Sequence, residues 1–364
     1  MGQQVSRHSS ILCIGDPVLD VVAHCSIQVL EQLGFSHGGC DVIDEEDLDR
    51  ILEEYKDAFG ELTRIPGGSA ANVAKCLAKL YSSSSDMVVV RFTGTIGYDE
   101  GGISYRVAME EDGVDMTYAL VHPTKQNGTC LCLVTPDCQR TMRTCLRASQ
   151  EHCLSRKSIR QIRPTWTHFE GYYVHKSESI LATMKALKGI GSRISFDFAS
   201  FDVVKMYFDL FCSILDARVL DVLFCNELEA MEFSDLLLLK REGEDMEYLA
   251  DFIRYMVETY GLTMVVSRGA DGCIAGAPAS AGDNGTVTIA QSPANKVDVV
   301  DTIGAGDHFS AGFLYALMHD ASLECACTSA CLAGGAAVQV QGAHLSHEHI
   351  AKLKTDIDAN IYYS

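Results

Sequence analysis

The chain has 364 residues, enough for one large α/β domain with an appendage or for two small domains. Its hydrophobic content of 47% with 21% charged residues is typical of a folded globular protein, and its net charge of −20 argues against nucleic acid and anionic membrane surfaces as partners. The 15 cysteines are scattered through apolar segments, as expected of reduced thiols rather than of a disulfide framework. No uninterrupted apolar run is long enough to form a transmembrane segment.

The first residues, 1–10, are interpreted as a flexible leader. They open with Met1-Gly2-Gln3-Gln4-Val5-Ser6, which fits the pattern for N-myristoylation of Gly2, and an unmodified leader accounts for them equally well. One acyl chain gives only weak and reversible attachment to a membrane. We therefore expect a cytoplasmic protein, with weak membrane association if Gly2 is acylated.

An apolar run at residues 11–14 predicts a buried first strand that ends in the turn Gly15-Asp16-Pro17. Asp20 follows within a second apolar run, at residues 18–22. Because a buried carboxylate without a partner is costly, we expect Asp20 to face a cavity or a ligand. The alternative is an aspartate that simply ends a strand.

Residues 41–58 carry apolar side chains at helical spacing among many acidic ones, which predicts an amphipathic surface helix. The next feature is Gly67-Gly68, directly before a second predicted helix that places the Asn72 amide one turn from its start. Two glycines allow the backbone to approach a ligand closely, and the amide offers both a donor and an acceptor. Taken alone, this pattern predicts only a turn.

Short alternating segments between residues 117 and 146 predict a small, half-exposed β-sheet. Cys130 and Cys132 alternate along one of these strands without a second pair at metal-binding spacing, so we interpret them as packing residues. Arg140 adds a cation in an acidic protein. It serves either solubility at the surface or the binding of an anionic group.

From Trp166 onward, strand-like and helix-like segments alternate, which indicates a mainly parallel sheet with helices on both faces. Ligands of such sheets bind at the carboxyl ends of the strands. Asn226 and Glu229 follow one of these strands, where they either cap a helix or bind a cation. Ser267 ends another strand, which runs into a turn containing Gly269 and Gly272.

The stretch at residues 300–313 combines a strand-like start, a glycine-rich turn and the beginning of a helix. The small residues of Gly304-Ala305-Gly306 let backbone N–H groups converge at the positive end of the helix dipole, which predicts an anion site. Asp307 lies at the mouth of this helix. Its carboxylate either caps the helix or accepts a proton from a hydroxyl that attacks a phosphoryl group bound there.

Two clusters near the end of the chain resemble metal sites only superficially. Cys325, Cys327 and Cys331 lie on a predicted helix of small residues, but their offsets do not put all three on one face. The histidines that follow, His344, His347 and His349, are interpreted as part of a mobile surface tail.

Four ordered motifs resemble signatures of the ribokinase/PfkB kinases, in particular their adenosine kinase-like branch. They are Gly15-x-Pro17-x-Leu19-Asp20, Gly67-Gly68-x-x-x-Asn72, Asn226-x-x-Glu229 and Asp301-Thr302-x-Gly304-Ala305-Gly306-Asp307. The resemblance implies an α/β fold, a ribokinase-like three-layer sandwich with a mainly parallel sheet, helices on both faces and a small β-sheet lid. It further implies a single kinase domain over residues 11–364, with lid segments at about 20–66 and 114–147 and a nucleotide-binding half at about 220–345.

The resemblance also assigns roles to individual residues. The implied base, anion hole and phosphate-contacting arginine are Asp307, Gly304, Ala305, Gly306 and Arg140. The implied substrate-binding residues are Asp20, Gly67, Gly68 and Asn72. The implied nucleotide-binding residues are Ser267, Gly269, Gly272, Asn226 and Glu229, of which the last two organise Mg²⁺ through its water shell. Backbone carbonyls of Asp301 and Ile303 match those that hold K⁺ in many family members.

The function implied is an ATP-dependent kinase, acting as a monomer or homodimer, that phosphorylates the primary hydroxyl of a sugar or nucleoside. The chain has neither the P-loop motif nor the Gly-x-Gly-x-x-Gly motif of a dehydrogenase after an early strand. The main alternative is a non-catalytic regulatory or binding protein on a kinase fold. Such a protein would usually have lost the base or the anion-hole glycines, and both are present here.

Overall fold

The structure is a computed structural model that describes residues 9–82, 87–137, 139–152, 154–239, 245–279, 286–342 and 344–363. The strands in this part of the chain are β1 Ser9–Ile14, β2 Val18–His24, β3 Cys40–Val42, β4 Thr63–Pro66, β5 Val88–Thr93, β6 Thr95–Ile96, β7 Leu120–Val121, β8 Gly128–Val134, β9 Arg140–Cys145, β10 Trp166–Phe169, β11 Arg193–Asp197, β12 Val222–Asn226, β13 Thr263–Ser267, β14 Cys273–Pro278 and β15 Val287–Ser292. The helices are α1 Ile27–Leu33, α2 Glu45–Glu54, α3 Lys56–Phe59, α4 Ser69–Ser82, α5 Glu100–Glu111, α6 Arg156–Ile162, α7 Ser177–Lys188, α8 Phe201–Met206, α9 Phe208–Asp216, α10 Glu227–Leu236, α11 Asp245–Tyr260, α12 Ala305–Met318, α13 Leu323–Ala337 and α14 His347–Tyr363.

The central sheet has eight strands in the order β15-β14-β13-β12-β11-β10-β1-β5. The six neighbouring strands β13, β12, β11, β10, β1 and β5 pair in parallel. Strand β14 pairs antiparallel with both β13 and β15. Successive side chains of β1 enter opposite cores, with Ile11 and Cys13 facing α4, α12 and α13 and with Leu12 and Ile14 facing the helices of the other layer. The predicted three-layer architecture, with helices on both faces of a mainly parallel sheet, is therefore confirmed.

A second sheet has five strands in the order β3-β9-β8-β2-β4. One of its faces packs on α1, α2 and α3 through buried side chains such as Leu30, Leu48 and Leu131. The opposite face carries Asp20 on β2 and Arg140 on β9, and both of these residues line a cavity described below. The short helices thus cover one face of this sheet and leave its polar face for the site.

Small residues bring the helix of the glycine-rich turn close to its neighbour. Gly312 lies within α12, where an added Cβ would come 2.5 Å from the carbonyl oxygen of Ser329 on α13. Larger side chains at this position would push the two helices apart. The position of the α12 N-terminus therefore depends on the close packing of α12 on α13.

Three predictions require correction. Ser9 and Ser10, assigned to the flexible leader, belong to β1, where Ser9 pairs with Val88 and a parallel ladder continues along the strand. The rest of the leader, including the predicted acylation site, lies outside the described residues. The helix predicted at 41–58 begins later, because Cys40–Val42 forms a strand and Glu45–Glu54 and Lys56–Phe59 form two helices.

The third correction concerns the histidine-rich end of the chain, which is a helix and not a mobile tail. α14 packs Ile350, Leu353 and Ile357 into the same core as α4 and α12. Polar residues between these apolar positions obscure the helical period, which is why the sequence pattern predicted a tail. Among the helices described, none is both long and apolar enough to cross a membrane.

Candidate active site

The glycine-rich turn forms the N-terminus of α12. Gly304 precedes the helix with a φ of 66°, a left-handed conformation that glycine adopts without strain. Amide groups of the first helical turn, including that of Gly306, have no acceptor within the helix. A Cβ at Gly306 would meet no atom within 4 Å, so open space lies beside it. The amide of Ala305 already has an acceptor outside the helix, because it makes a long 3.3 Å hydrogen bond to the carbonyl of Thr302.

Asp307 is the third residue of α12 and does not act as its N-cap, a position that Gly304 takes. Its carboxylate points to the N-terminus of α4, where it accepts hydrogen bonds from Ser69 Oγ at 2.7 Å and Asn72 Nδ2 at 2.8 Å. Burial raises the pKa of Asp307 above its ordinary value, and these two hydrogen bonds and the charge of Lys75 offset only part of that rise. A carboxylate with a raised pKa and fixed hydrogen-bond donors is well placed to accept a proton.

Asp20 and Gly67, both assigned to substrate binding by the resemblance, lie side by side. A Cβ on Gly67 would collide with the Asp20 carboxylate, so only glycine lets the backbone pass here. Gly68 has a φ of 96°, and a Cβ there would lie 2.6 Å from the carbonyl oxygen of Asp16. Burial raises the pKa of Asp20 to about 7, although the positive charges of Lys75 and Arg140 oppose the rise.

A cavity of about 210 Å³ lies between the second sheet and the loops near α12 and α13. It is lined by Asp20, Val22, His24, Thr63, Ile65, Pro66, Asn72, Arg140, Ile303, Gln341 and Gly342. The expectation that the Asp20 carboxylate faces a cavity is thus met. Polar and apolar groups both line this wall, as they do in many sites for small molecules.

Arg140 connects the second sheet to the loop that precedes the glycine-rich turn. Its guanidinium forms a short ion pair with the Asp301 carboxylate, and the two side chains are 14% and 6% exposed. Asp301 also accepts hydrogen bonds from the amides of Ile303 at 3.0 Å and Gly342 at 2.6 Å. Arg140 Nη1 is buried and has no hydrogen-bond partner within the part of the chain described. The arginine is therefore largely enclosed at the site, and one of its nitrogens is not satisfied by the described part of the chain.

Asn226 and Glu229 form a capping box at the start of α10, so the helix-capping interpretation describes their observed contacts. The Asn226 side chain accepts from the Glu229 amide at 2.9 Å, and the Glu229 carboxylate accepts from the Asn226 amide at 2.9 Å. Burial, with a further contribution from Asp197, raises the pKa of Glu229 to about 8. A role with Mg²⁺ stays a prediction.

Ser267 ends β13 directly beside Asn226, because the register of β12 and β13 pairs these two residues. Gly269 and Gly272 follow with φ values of 54° and 86°. The structure therefore brings the residues predicted for nucleotide binding together near the carboxyl ends of β12 and β13. They make no direct hydrogen bond to Asp307 among the contacts of the described residues.

Two buried charged residues were not predicted from the sequence. Glu170, which is 2% exposed, accepts hydrogen bonds from the amides of Asp16 at 2.7 Å and Ala70 at 2.6 Å. Lys75, which is 6% exposed, donates to the carbonyl of Pro66 at 2.9 Å. Glu170 links the end of β10 to α4. The positive charge of Lys75 lowers the pKa of both Asp20 and Asp307. The contacts of Glu170 join segments that are distant in sequence, so no local pattern could predict them. Lys75 lies three residues after Asn72 on the same face of α4, and this spacing could have identified it.

Comparison with known proteins agrees with this geometry. A family model described as pfkB family carbohydrate kinase matches residues 40–350. An adenosine kinase from Schizophyllum commune is 24% identical over 330 residues, covering 86% of this chain and 90% of that protein. A fructokinase from Klebsiella pneumoniae is 25% identical over 273 residues, covering 74% and 82%. The crystal structure of adenosine kinase from Sinorhizobium meliloti has a TM-score of 0.80 at 21% identity, covering 96% of this chain and 100% of that one. The family resemblance seen in the motifs is confirmed, and the chain belongs to the pfkB family of carbohydrate kinases, which makes it a small-molecule kinase that acts on a sugar or nucleoside.

Proposed function

We propose that the protein transfers the terminal phosphoryl group of ATP to the primary hydroxyl of a sugar or nucleoside, with Asp307 as the general base. The observation that carries this proposal is the position of the Asp307 carboxylate. It lies in the first turn of α12, beside the backbone amides of the glycine-rich turn, and it is held by Ser69 and Asn72. A carboxylate and an anion-binding turn at one point are what attack on a phosphoryl group requires.

In the proposed mechanism, the acceptor oxygen attacks the terminal phosphorus atom of ATP while the acceptor hydroxyl gives its proton to Asp307. The bond between this phosphorus and the bridging oxygen breaks, and ADP leaves. The amides of Gly304 and Gly306, with that of Ala305 once it exchanges its long bond to Thr302 for the ligand, stabilise the negative charge that spreads over the phosphoryl oxygens. Arg140 Nη1 adds a charge-assisted hydrogen bond from the second sheet. This sheet would then act as a lid, excluding water from the phosphoryl group while its own residues bind the acceptor.

Acceptor binding is assigned to Asp20, Gly67, Gly68 and Asn72. Asn72 supports this assignment, because its Nδ2 donates to Asp307 while its Oδ1 is buried without a hydrogen-bond partner in the described part of the chain. A free, buried amide oxygen is satisfied when a ligand hydroxyl donates to it. The same residue would thus orient the base and the acceptor together.

Nucleotide binding is assigned to Ser267, Gly269, Gly272, Asn226 and Glu229. Both oxygens of Glu229 accept hydrogen bonds from Asn226, at 2.9 Å and 2.6 Å, so direct coordination of a metal would break the capping box. The oxygen donors fit Mg²⁺ that keeps its water shell. When bound, Mg²⁺ supplies positive charge to the phosphate oxygens of ATP.

We expect K⁺ to raise turnover. The carbonyls of Asp301 and Ile303 accept no backbone hydrogen bond among the described residues, which leaves them available to an ion beside the anion hole. Such an ion would fix the orientation of the amides without touching the acceptor. Turnover should rise when K⁺ replaces a large organic cation at constant ionic strength, with little change in the Kd of the acceptor. Equal rates in the two salts would remove K⁺ from the proposal.

We also expect the Lys75 charge to set the pH dependence of turnover. Other charged and titratable groups also interact with Lys75 or Asp307. They are Asp20, Cys76, Lys79, Asp112, Glu170, Tyr172, Asp197, His308 and His344. Lys75→Met removes the cation that lowers the pKa of Asp307, so that pKa rises. Because the base is active when ionised, the fall of kcat on acidification should move to higher pH.

The matched variant for this prediction is Lys75→Arg, which retains the positive charge. The kcat–pH profile of Lys75→Arg should stay close to that of the wild type, whereas the profile of Lys75→Met should be displaced. An undisplaced profile in Lys75→Met would mean that Lys75 does not control the ionisation of the base. A purely structural role would lower kcat at every pH without moving the profile.

Release of ADP from ATP in the presence of individual sugars and nucleosides tests the proposed function. A catalytic protein releases ADP with at least one acceptor and forms a phosphorylated product in equal amount. A non-catalytic binding or regulatory protein would show ligand-induced stabilisation in a thermal-shift screen, with no ADP release for any acceptor. Ribose, fructose, adenosine and further nucleosides form the first panel.

A further inference from the structure

Three side chains with metal-binding atoms meet on the polar face of the second sheet. They are Asp20 on β2 and Cys130 and Cys132 on β8, and their ligand atoms all lie within 4.8 Å of one another. The parallel register of the two strands pairs Asp20 with Cys130. Cys130 and Cys132 are 4% and 1% exposed. The grouping comes from strand pairing, and spacing along the chain could not reveal it.

The spacing of the two sulfur atoms matches a tetrahedral metal site. Sγ of Cys130 lies 3.7 Å from Sγ of Cys132. Two thiolates bound to one Zn²⁺ ion at about 2.3 Å with a tetrahedral angle are separated by roughly 3.8 Å. The two sulfurs therefore already have the separation that Zn²⁺ would impose.

Packing accounts for the two thiols, whereas no contact within the described chain satisfies the carboxylate beside them. Cys130 and Cys132 pack against Val18, as small apolar side chains do. Asp20, by contrast, has no side-chain hydrogen bond and no ion pair with any described residue, although it lies next to these sulfurs. An oxygen donor with two sulfur donors forms a set of three ligands, and water can take the fourth position.

We propose that Asp20, Cys130 and Cys132 bind a thiophilic divalent cation, with Zn²⁺ as the probe, and that this cation excludes the phosphate acceptor from Asp20. Each cysteine thiol releases its proton to solvent as its sulfur binds the metal. The exclusion of the acceptor rests on the proposed function, because Asp20 is the residue assigned to the acceptor hydroxyls. Binding of the metal itself does not depend on that assignment.

The binding test uses full-length, reduced, metal-free protein and competition for Zn²⁺ with a chromophoric chelator. Wild-type protein should bind Zn²⁺ at one site that Cys132→Ser weakens by roughly 100-fold or more, since even changes around a ligand cost about 10- to 100-fold. Cys145→Ser is the matched control, because Cys145 is 4% exposed and lies in the same sheet with its side chain in the opposite core. Equal Zn²⁺ affinity and stoichiometry in wild type, Cys132→Ser and Cys145→Ser would overturn the metal site.

The competition test measures acceptor affinity with and without Zn²⁺, by thermal shift or calorimetry, so that turnover is not required. Zn²⁺ should weaken the acceptor in wild-type protein and in Cys145→Ser, and a chelator should reverse the effect. In Cys132→Ser, the same Zn²⁺ concentration should leave acceptor affinity unchanged. Zn²⁺ bound at the Cys132-dependent site without any effect on acceptor affinity would overturn the exclusion. Absence of kinase activity with intact Cys132-dependent binding would instead contradict the proposed function alone.

Discussion

Turnover of the Asp307→Asn variant is expected to fall by roughly two to four orders of magnitude, the usual contribution of a general base. Asparagine has nearly the same shape as aspartate but cannot accept the proton of the attacking hydroxyl. Its side-chain oxygen can keep one of the hydrogen bonds that Ser69 and Asn72 donate to the carboxylate. The fold and the binding of ATP should therefore persist while the chemical step slows.

Single-turnover kinetics measure this effect on the chemical step directly, and calorimetry measures the binding of ATP. The control is Asp216→Asn, which changes the same functional group at an exposed position at the end of α9 and should leave turnover unchanged. Wild-type kcat in Asp307→Asn would show that another group accepts the proton. A loss of both turnover and ATP binding would indicate a damaged α12 N-terminus.

Local motifs predicted the glycine-rich turn well, because the residues that form it are adjacent in sequence. Gly304 takes the left-handed conformation and α12 begins at the next residue. The assignment of Asn226 and Glu229 was less decisive, since the same two residues cap a helix and could also organise a cation. In such cases, a motif fixes the position of a side chain but leaves its chemical role open.

Contacts between distant segments could not be predicted from the sequence. Glu170 is 154 residues from Asp16 and 100 from Ala70, yet its carboxylate binds the amides of both. The meeting of Asp20 with Cys130 and Cys132 depends on the parallel register of β2 and β8, which no local pattern encodes. Helix α14 was missed for a different reason, because its histidines and other polar residues obscure the apolar positions that pack against the core.

The second large effect is expected for acceptor binding in the Asp20→Ala variant. Asp20 lies on the cavity wall, in direct contact with Gly67 and without its own hydrogen bond to any described side chain. A carboxylate that accepts hydrogen bonds from ligand hydroxyls contributes about 1.5–3 kcal/mol, equivalent to roughly a 10- to 150-fold change in Kd. The Kd of ATP should change little, because the residues assigned to the nucleotide lie at the ends of β12 and β13.

Calorimetry with the acceptor found in the ADP-release panel measures this loss, and a chelator is present throughout so that no bound cation contributes. Asp20→Asn is the matched variant, because its amide oxygen can still accept a hydroxyl while the charge is gone. We expect the Kd of Asp20→Asn to lie between those of the wild type and Asp20→Ala. An unchanged acceptor Kd in Asp20→Ala would place the acceptor elsewhere in the cavity. It would also separate the Asp20–Cys130–Cys132 cluster from acceptor recognition, since the metal could then occupy these ligands without meeting the substrate.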